Sequence, residues 1–243
     1  CIIIEGSTTG SQHGVYLEGA STNNIINNTI NTSGADSYGV YIYANSNTNN
    51  ISQNNVTTTG MADGIRLEAS KFANLTENTV VTTAATSYTI EGENINHTNH
   101  TIDTSNKAEG LPVVYNHSVT SQTMPETGDL SGIYGQLICA NCQDITYNGP
   151  ITLAKDGIYI TGGNNVTLST FTIDSVTGPA LSFINVTDIT LPGGSLFGNS
   201  GDIASNPMVL FKNSNNGVIG SGATSLSMIS NNQNAILKLV SST

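Results

Sequence analysis

The sequence predicts an all-β chain wound as a right-handed, single-stranded parallel β-helix of about nine to ten coils, each of roughly 24 residues. Three observations predict it. An asparagine-laden octet returns, as NNIINNTI at 23–30, NNISQNNV at 49–56 and ANLTENTV at 73–80. Short segments such as GVYLE (14–18), GVYIY (39–43), GIRLE (64–68) and GIYIT (157–161) alternate apolar and polar residues with the period of a strand. Gly, Asn, Ser and Thr turns separate these segments, and no sustained i, i+3, i+4 pattern offers a helix.

The elements of one coil follow in order. A first apolar column runs Leu17, Ile42, Leu67, Ile90, Val114, Leu137, Ile160, Phe183, Leu210, Leu237. A second runs Ile25, Ile51, Leu75, Ile95, Val119, Ile145, Val166, Ile189, Val218. A third runs Ile30, Val56, Val80, Ile102, Ile151, Ile173, Leu196. Three short strands in so short a repeat cannot pair with one another. They can pair in parallel with their equivalents one coil on, at about 4.8 Å, which gives a rod about 45 Å long. The right hand follows from the usual sense of parallel crossovers. Asn24, Asn50, Asn74, Asn94, Asp144, Asn165 and Asp188 each precede the second column. They are expected to ladder at one corner, because Asn and Asp tolerate left-handed backbone.

Composition narrows the partners. Of 243 residues 9% are charged, only six are Lys or Arg, and the formal net charge is -11. Phosphate binding needs clustered cations, so nucleic acid is not an expected partner. An anionic membrane surface is disfavoured for the same reason. No run approaches 18 apolar residues, so no membrane span is expected.

The pattern N-x-[IVL]-x-x-N-x-[IVL], after G-[IV]-x-[IVL], resembles the repeats of the pectate-lyase-like parallel β-helix superfamily. More narrowly it resembles the carbohydrate-binding and sugar-hydrolase repeats of bacterial and archaeal surface proteins, including NosD-like proteins linked to copper-site maturation. The resemblance implies the fold over 13–102 and, more loosely, 133–240. Motifs of the polygalacturonase type (N-T-D, D-D, G-H-G, R-x-K) do not occur.

The only arginine, Arg66, lies on an outward strand position beside Glu68, with Glu91 one coil on. Two carboxylates at such a spacing could act as a glycosidase pair; the alternative is an exposed charge cluster in which Arg66 offsets repulsion. Tyr16, Tyr41 and Tyr43 share that face and could stack on sugar rings, or serve only as good strand formers. His97, His100 and His117 could bind copper or zinc if they converged; otherwise they are solvated turn histidines. No phosphate loop, dinucleotide fingerprint or Ser-His-Asp order is recognisable, and no cofactor is expected.

Cys139 and Cys142 form half a zinc site or a local disulfide. Cys1 should lie too far along the rod to join either, which leaves it free, modified, bonded to another chain, or parted from a partner in upstream sequence. Asn-x-Ser/Thr occurs at Asn27, Asn31, Asn50, Asn55, Asn74, Asn96, Asn99, Asn116, Asn165 and Asn185, little above what so Asn-, Ser- and Thr-rich a chain gives by chance.

One domain is expected over 1–243, with a seam at 121–132 where the octet fades. Both ends read as uncapped coils, as in an excerpt or a polymerising unit. The leading functional expectation is a secreted or cell-surface structural solenoid without enzymatic activity. It would assemble end to end with copies of itself or with flanking domains, as a layer, sheath or filament. A carbohydrate-binding or polysaccharide-cleaving module is the second reading. NosD-like metal handling is the third.

Overall fold

The computed structural model describes residues 1–4, 10–124, 128–154, 156–176, 178–199, 209–219, 226–229 and 237–240. The chain is a parallel β-solenoid of about eight turns. β1 (Ile2–Ile4) pairs with the third strand of the first full coil, which comprises β2 (Val15–Glu18), β3 (Asn24–Ile26) and β4 (Thr29–Thr32). β5 (Val40–Tyr43), β6 (Asn50–Ser52) and β7 (Asn55–Thr58) make the next coil, and β8 (Ile65–Glu68), β9 (Asn74–Thr76) and β10 (Thr79–Thr82) the third. The fourth is β11 (Tyr88–Glu91), a 3-10 turn at Ile95–Thr98, β12 (Thr101–Ile102) and β13 (Lys107–Ala108).

The expected first column holds throughout these coils, with Leu17, Ile42, Leu67 and Ile90 in register. In the second column Ile25, Ile51 and Leu75 continue to Ile102, not to Ile95. The fourth coil carries extra residues, which close into the 3-10 turn capped by the Asn94 side chain and leave Ile95 half exposed. Ala108 therefore completes the third column after Val80.

The glycine of each G-[IV]-x-[IVL] segment has a steric cause. A Cβ on Gly39 would lie 2.2 Å from the Val56 side chain and 2.6 Å from the carbonyl oxygen of Gly64 in the next coil. No side chain fits there.

The corner expectation needs correction in the first coils. Asn24, Asn50 and Asn74 point outward, because each adjoins an inward Ile or Leu and strand side chains alternate. The left-handed residues that flank these strands are Thr22, Thr48 and Phe72 before them and Asn27, Gln53 and Glu77 (φ 55°, 58° and 55°) after them. The side chains that turn inward are those that follow, Asn28, Asn54, Asn78 and Asn106. Nδ2 of Asn54 donates to Oδ1 of Asn78 at 3.0 Å and to the Ile25 carbonyl at 2.8 Å. Nδ2 of Asn78 donates to Oδ1 of Asn106 at 2.9 Å and to the Ile51 carbonyl at 2.7 Å. This ladder meets the backbone polar groups that a sharp corner would otherwise bury unpaired. Among the later positions, Asp144, Asn165 and Asp188 do adopt the left-handed conformation.

Stacking is interrupted once among the described residues. β13 is followed by β14 (Leu111–His117), which pairs with it antiparallel across Glu109 and Gly110. Both turn residues have positive φ (52° and 87°), the combination that closes a tight two-residue hairpin. This break lies upstream of 121–132. There β15 (Thr120–Thr123) and β16 (Gly128–Asp129) pair in parallel with β17 (Gln136–Ala154), and residues 125–127 lie outside the described set.

A second parallel stack then builds through β18 (Ile158–Val176), β19 (Leu181–Leu191), β20 (Gly194–Asn199), β21 (Val209–Lys212), β22 (Asn215–Ile219), β23 (Leu226–Ile229) and β24 (Leu237–Val240). Its first column is Val114, Leu137, Ile158, Leu181, Val209, Leu237. Ile160 and Phe183 belong two residues further along, with Cys139 and Phe211. Leu210 pairs with Ser182 instead, and Val218 is exposed beside Thr190.

The two stacks do not continue one rod. Val114, Leu137, Ile158, Leu181 and Val209 lie in the interior of the second stack. Val113, Ile138, Tyr159 and Ile184, on the other face of the same sheet, are buried in the core of the first, with Tyr115 and Leu210 packed against it. Burial on both faces is why LICA (137–140) reads as a continuous apolar run, where GVYLE alternates.

That sheet face also covers the edge of β11. The Gln136 side chain acts as a missing strand: Tyr88 N donates to its Oε1 (3.1 Å) and its Nε2 donates to Tyr88 O (2.8 Å). Ser87 N donates to Asp156 Oδ2 (2.9 Å), the Tyr159 hydroxyl to Ile90 O (3.2 Å) and Asn185 Nδ2 to Gly92 O (3.0 Å). An edge strand that would otherwise template further pairing is thereby occupied.

Candidate functional site

The outward face of β2, β5, β8 and β11 carries a grid. Register places Tyr16, Tyr41, Arg66 and Thr89 in one column and Glu18, Tyr43, Glu68 and Glu91 in the next. His13, Tyr38 and Asp63, each just before the motif glycine, occupy equivalent positions alongside. Successive rungs stand about 4.8 Å apart.

The first two rungs are aromatic. Tyr41 lies at the centre, with ring centroids at 5.4 Å for Tyr16, 4.9 Å for Tyr38, 5.4 Å for Tyr43 and 5.1 Å for His13. These separations suit tilted aromatic packing, which fixes the rings as a continuous shelf. Tyr16 remains 44% exposed. The Tyr16 hydroxyl donates to Glu18 Oε2 (2.9 Å) and the Tyr41 hydroxyl to Glu68 Oε2 (2.8 Å).

The next rungs are charged. Arg66 Nε meets Glu68 Oε2 at 2.8 Å, Nη1 meets Asp63 Oδ2 at 3.3 Å, and Nη2 meets Glu91 Oε2 at 3.2 Å. Its guanidinium also lies 5.2 Å from the centre of the Tyr38 ring. Lys212, from β21 of the second stack, reaches Glu91 Oε2 at 2.6 Å. Burial opposes the Arg66 charge, but Glu91, Asp63 and Glu68 outweigh it and hold the guanidinium protonated well above its ordinary range. Burial by itself would raise the Glu68 carboxyl. The Arg66 charge, with hydrogen bonds from Arg66 and Tyr41, prevails and keeps it below the usual carboxylate range. For Asp63 burial prevails over Arg66, and the carboxyl is pushed up.

Where the grid meets the second stack the surface is re-entrant. A cavity of ≈ 340 Å³ lies between Tyr43, Glu68, Glu91 and Glu93 on one side and Ile184, Lys212 and Asn213 on the other. A smaller one, ≈ 180 Å³, lies beside Arg66 and Asp63 against Tyr159, Ser182 and Leu210.

The structure thus joins Arg66, Glu68 and Glu91 to Tyr16, Tyr41 and Tyr43 in one site. The sequence reading missed His13, Tyr38, Asp63 and Lys212. The first three had a signal, since each occupies the same place before the glycine of a repeat segment. Lys212 had none, because its partner Glu91 lies on the other stack.

The three histidines do not assemble a metal site. His100 is buried, its Nδ1 accepts from Ala73 N (3.1 Å), and its Nε2 meets the His97 carbonyl (3.0 Å). Both ring nitrogens are thereby engaged with backbone. His97 Nδ1 accepts from Glu93 N in the 3-10 turn, and His117 lies over Tyr115. Among the described residues no group of three His, Cys, Asp or Glu could hold a metal ion.

Cys139 and Cys142 are disulfide-bonded across left-handed Asn141, and Cys1 is exposed with a free thiol. Of the Asn-x-Ser/Thr positions, Asn27, Asn55, Asn74, Asn96 and Asn165 are exposed. The amides of Asn74, Asn165 and Asn185 already donate to Asn50, Asp144 and Gly92.

No known protein family matches the chain, and no curated protein or solved structure matches it.

Proposed function

We propose that this chain is a secreted or cell-surface solenoid that binds carbohydrate, without cleaving it, on the outward face of β2, β5, β8 and β11. The observation that carries the reading is the aromatic shelf of Tyr16, Tyr38, Tyr41 and Tyr43 running directly into a hydrogen-bonded set of Arg66, Glu68 and Glu91. Aromatic faces pack against the apolar C–H face of a sugar ring, while carboxylates and guanidinium meet its hydroxyls. The resemblance of the repeats to those of the pectate-lyase-like superfamily supports the same ligand class. Cleavage is not part of the reading. The Arg66 charge, with hydrogen bonds from Arg66 and Tyr41, holds the Glu68 carboxyl below the usual carboxylate range, whereas a glycosidase acid must hold a proton near neutral pH. A scaffold role in the cell envelope is compatible with this reading, because the face uses one sheet of a repetitive rod.

The test is retention on immobilised polysaccharides, with Tyr16→Ala and Tyr41→Ala beside the unaltered protein. Each ring contact at about 1 kcal/mol predicts roughly fivefold weaker binding per substitution, with no release of sugar. Tyr16→Phe keeps the ring and should keep most of the affinity. Failure to retain the protein on any polysaccharide, or Tyr16→Ala and Tyr41→Ala variants that bind as well as the unaltered protein, would sink the reading.

A further inference from the structure

We infer that this site recognises the terminus of a neutral glycan chain rather than a stretch within it; the inference rests on the carbohydrate reading above. Among the described residues the face runs from the rung of β2 to that of β11, where the second stack meets it. From the rung of β2 a ligand can run along the aromatic column over Tyr16 and Tyr41, one rung about every 4.8 Å. Beyond Glu91 it meets the second stack, where Ile184 and Lys212 stand across its path.

The wall is rigid. Ile184 and Tyr159 are buried in the shared core, the Tyr159 hydroxyl is bonded to Ile90 O, and Asn185 is bonded to Gly92 O. A chain following the groove must therefore end there. What the wall leaves is the ≈ 340 Å³ cavity between Tyr43, Glu68, Glu91, Glu93 and Lys212. That is near the lower limit of small-molecule sites, roughly 300–1,000 Å³, and suits a terminal ring rather than a continuing chain.

Charge sets the class. Glu68, Glu91 and Glu93 line the cavity with Lys212, which is paired with Glu91, while Arg66 beside them is paired with Glu68, Glu91 and Asp63, and Lys71 acts on the cavity only from behind His97. A uronate carboxylate would enter an acidic surface and find no unpaired cation among the lining residues, whereas neutral hydroxyls can donate to the carboxylates and accept from Lys212.

The experiment is titration calorimetry with linear neutral glucan, mannan and galactan oligosaccharides of increasing length, and the uronate polymers polygalacturonate and alginate as comparison. The dissociation constant is expressed per mole of chain ends. Chain-end recognition predicts that it stops changing beyond about four units, the number of rungs, and that uronates bind at least about tenfold more weakly. Glu93→Trp fills the cavity from an exposed position outside the Arg66 ion pairs; it should weaken oligosaccharide binding at least about tenfold with the melting temperature unchanged. Affinity per chain that keeps rising in proportion to length, with Glu93→Trp binding normally, overturns chain-end recognition and leaves carbohydrate binding standing. Stronger binding of uronates overturns the neutral class alone. Absence of binding to every probe removes both the inference and the function it rests on.

Discussion

The junction between the stacks depends on one side chain more than its size suggests. Gln136 is fully buried and gives the edge of β11 both the donor and the acceptor that a next strand would provide. Gln136→Leu keeps the volume and removes both. Tyr88 N–H and C=O are then left unpaired in a core where Tyr88 itself is 1% exposed. An unsatisfied buried backbone group costs about 1–3 kcal/mol, so the pair costs about 2–6 kcal/mol. Leucine recovers part of this, because a buried amide no longer has to be desolvated, and the expected net loss is about 3 kcal/mol. Urea denaturation of the two proteins measures the total. Because stacked repeats need not unfold in one step, amide hydrogen exchange gives the local reading. The Tyr88 amide should lose protection in Gln136→Leu, while Leu67, one coil away, keeps it. A stability change below about 1 kcal/mol, with Tyr88 still protected, would refute the idea that this side chain stands in for a strand.

Two further outcomes follow from buried polar groups. Burial holds the His100 imidazole down to about 4, against an ordinary value of 6.5. The unfolded chain therefore binds its proton at higher pH than the folded one. The His100 contribution is fully present above pH 6.5, falls as the pH drops toward 4, and levels off below that, for a total of about 3 kcal/mol. Denaturation midpoints across that range should flatten in His100→Asn, leaving a smaller slope from His13, His97 and His117, whose imidazoles burial also lowers; an unchanged slope would count against the assignment. In the corner ladder, Asn78 bonds to Asn54, Asn106 and the Ile51 carbonyl at once. Asn78→Ala should cost about 3 kcal/mol in urea denaturation, several times the effect of replacing outward Asn74, and equal effects would show that the ladder is not what holds the corner.

The octet determined a great deal by itself. Its period gave three strands to a coil, and its alternation gave the inward columns of the first stack almost residue for residue. The inward asparagines were legible too. Asn28, Asn54 and Asn78 each lie two residues before an inward Ile or Val, on the same face, whereas Asn24, Asn50 and Asn74 adjoin an inward Ile or Leu and must face outward. The aromatic shelf and Arg66 with its nearest carboxylates were equally readable, since parallel register turns a sequence period into a column of side chains.

Tertiary structure decided the rest. A repeat specifies only what each coil touches in the next coil. Where a stack stops, and which way the chain leaves it, depends on the handed backbone of two residues, Glu109 and Gly110, in a sequence rich in similar turns. That reversal lays the outer face of the second stack against the last coil of the first and brings Lys212 to Glu91 across 121 residues of chain. It also closes one end of the groove. No period in the sequence carries that contact, because it joins two faces whose residues share neither a repeat position nor a strand register.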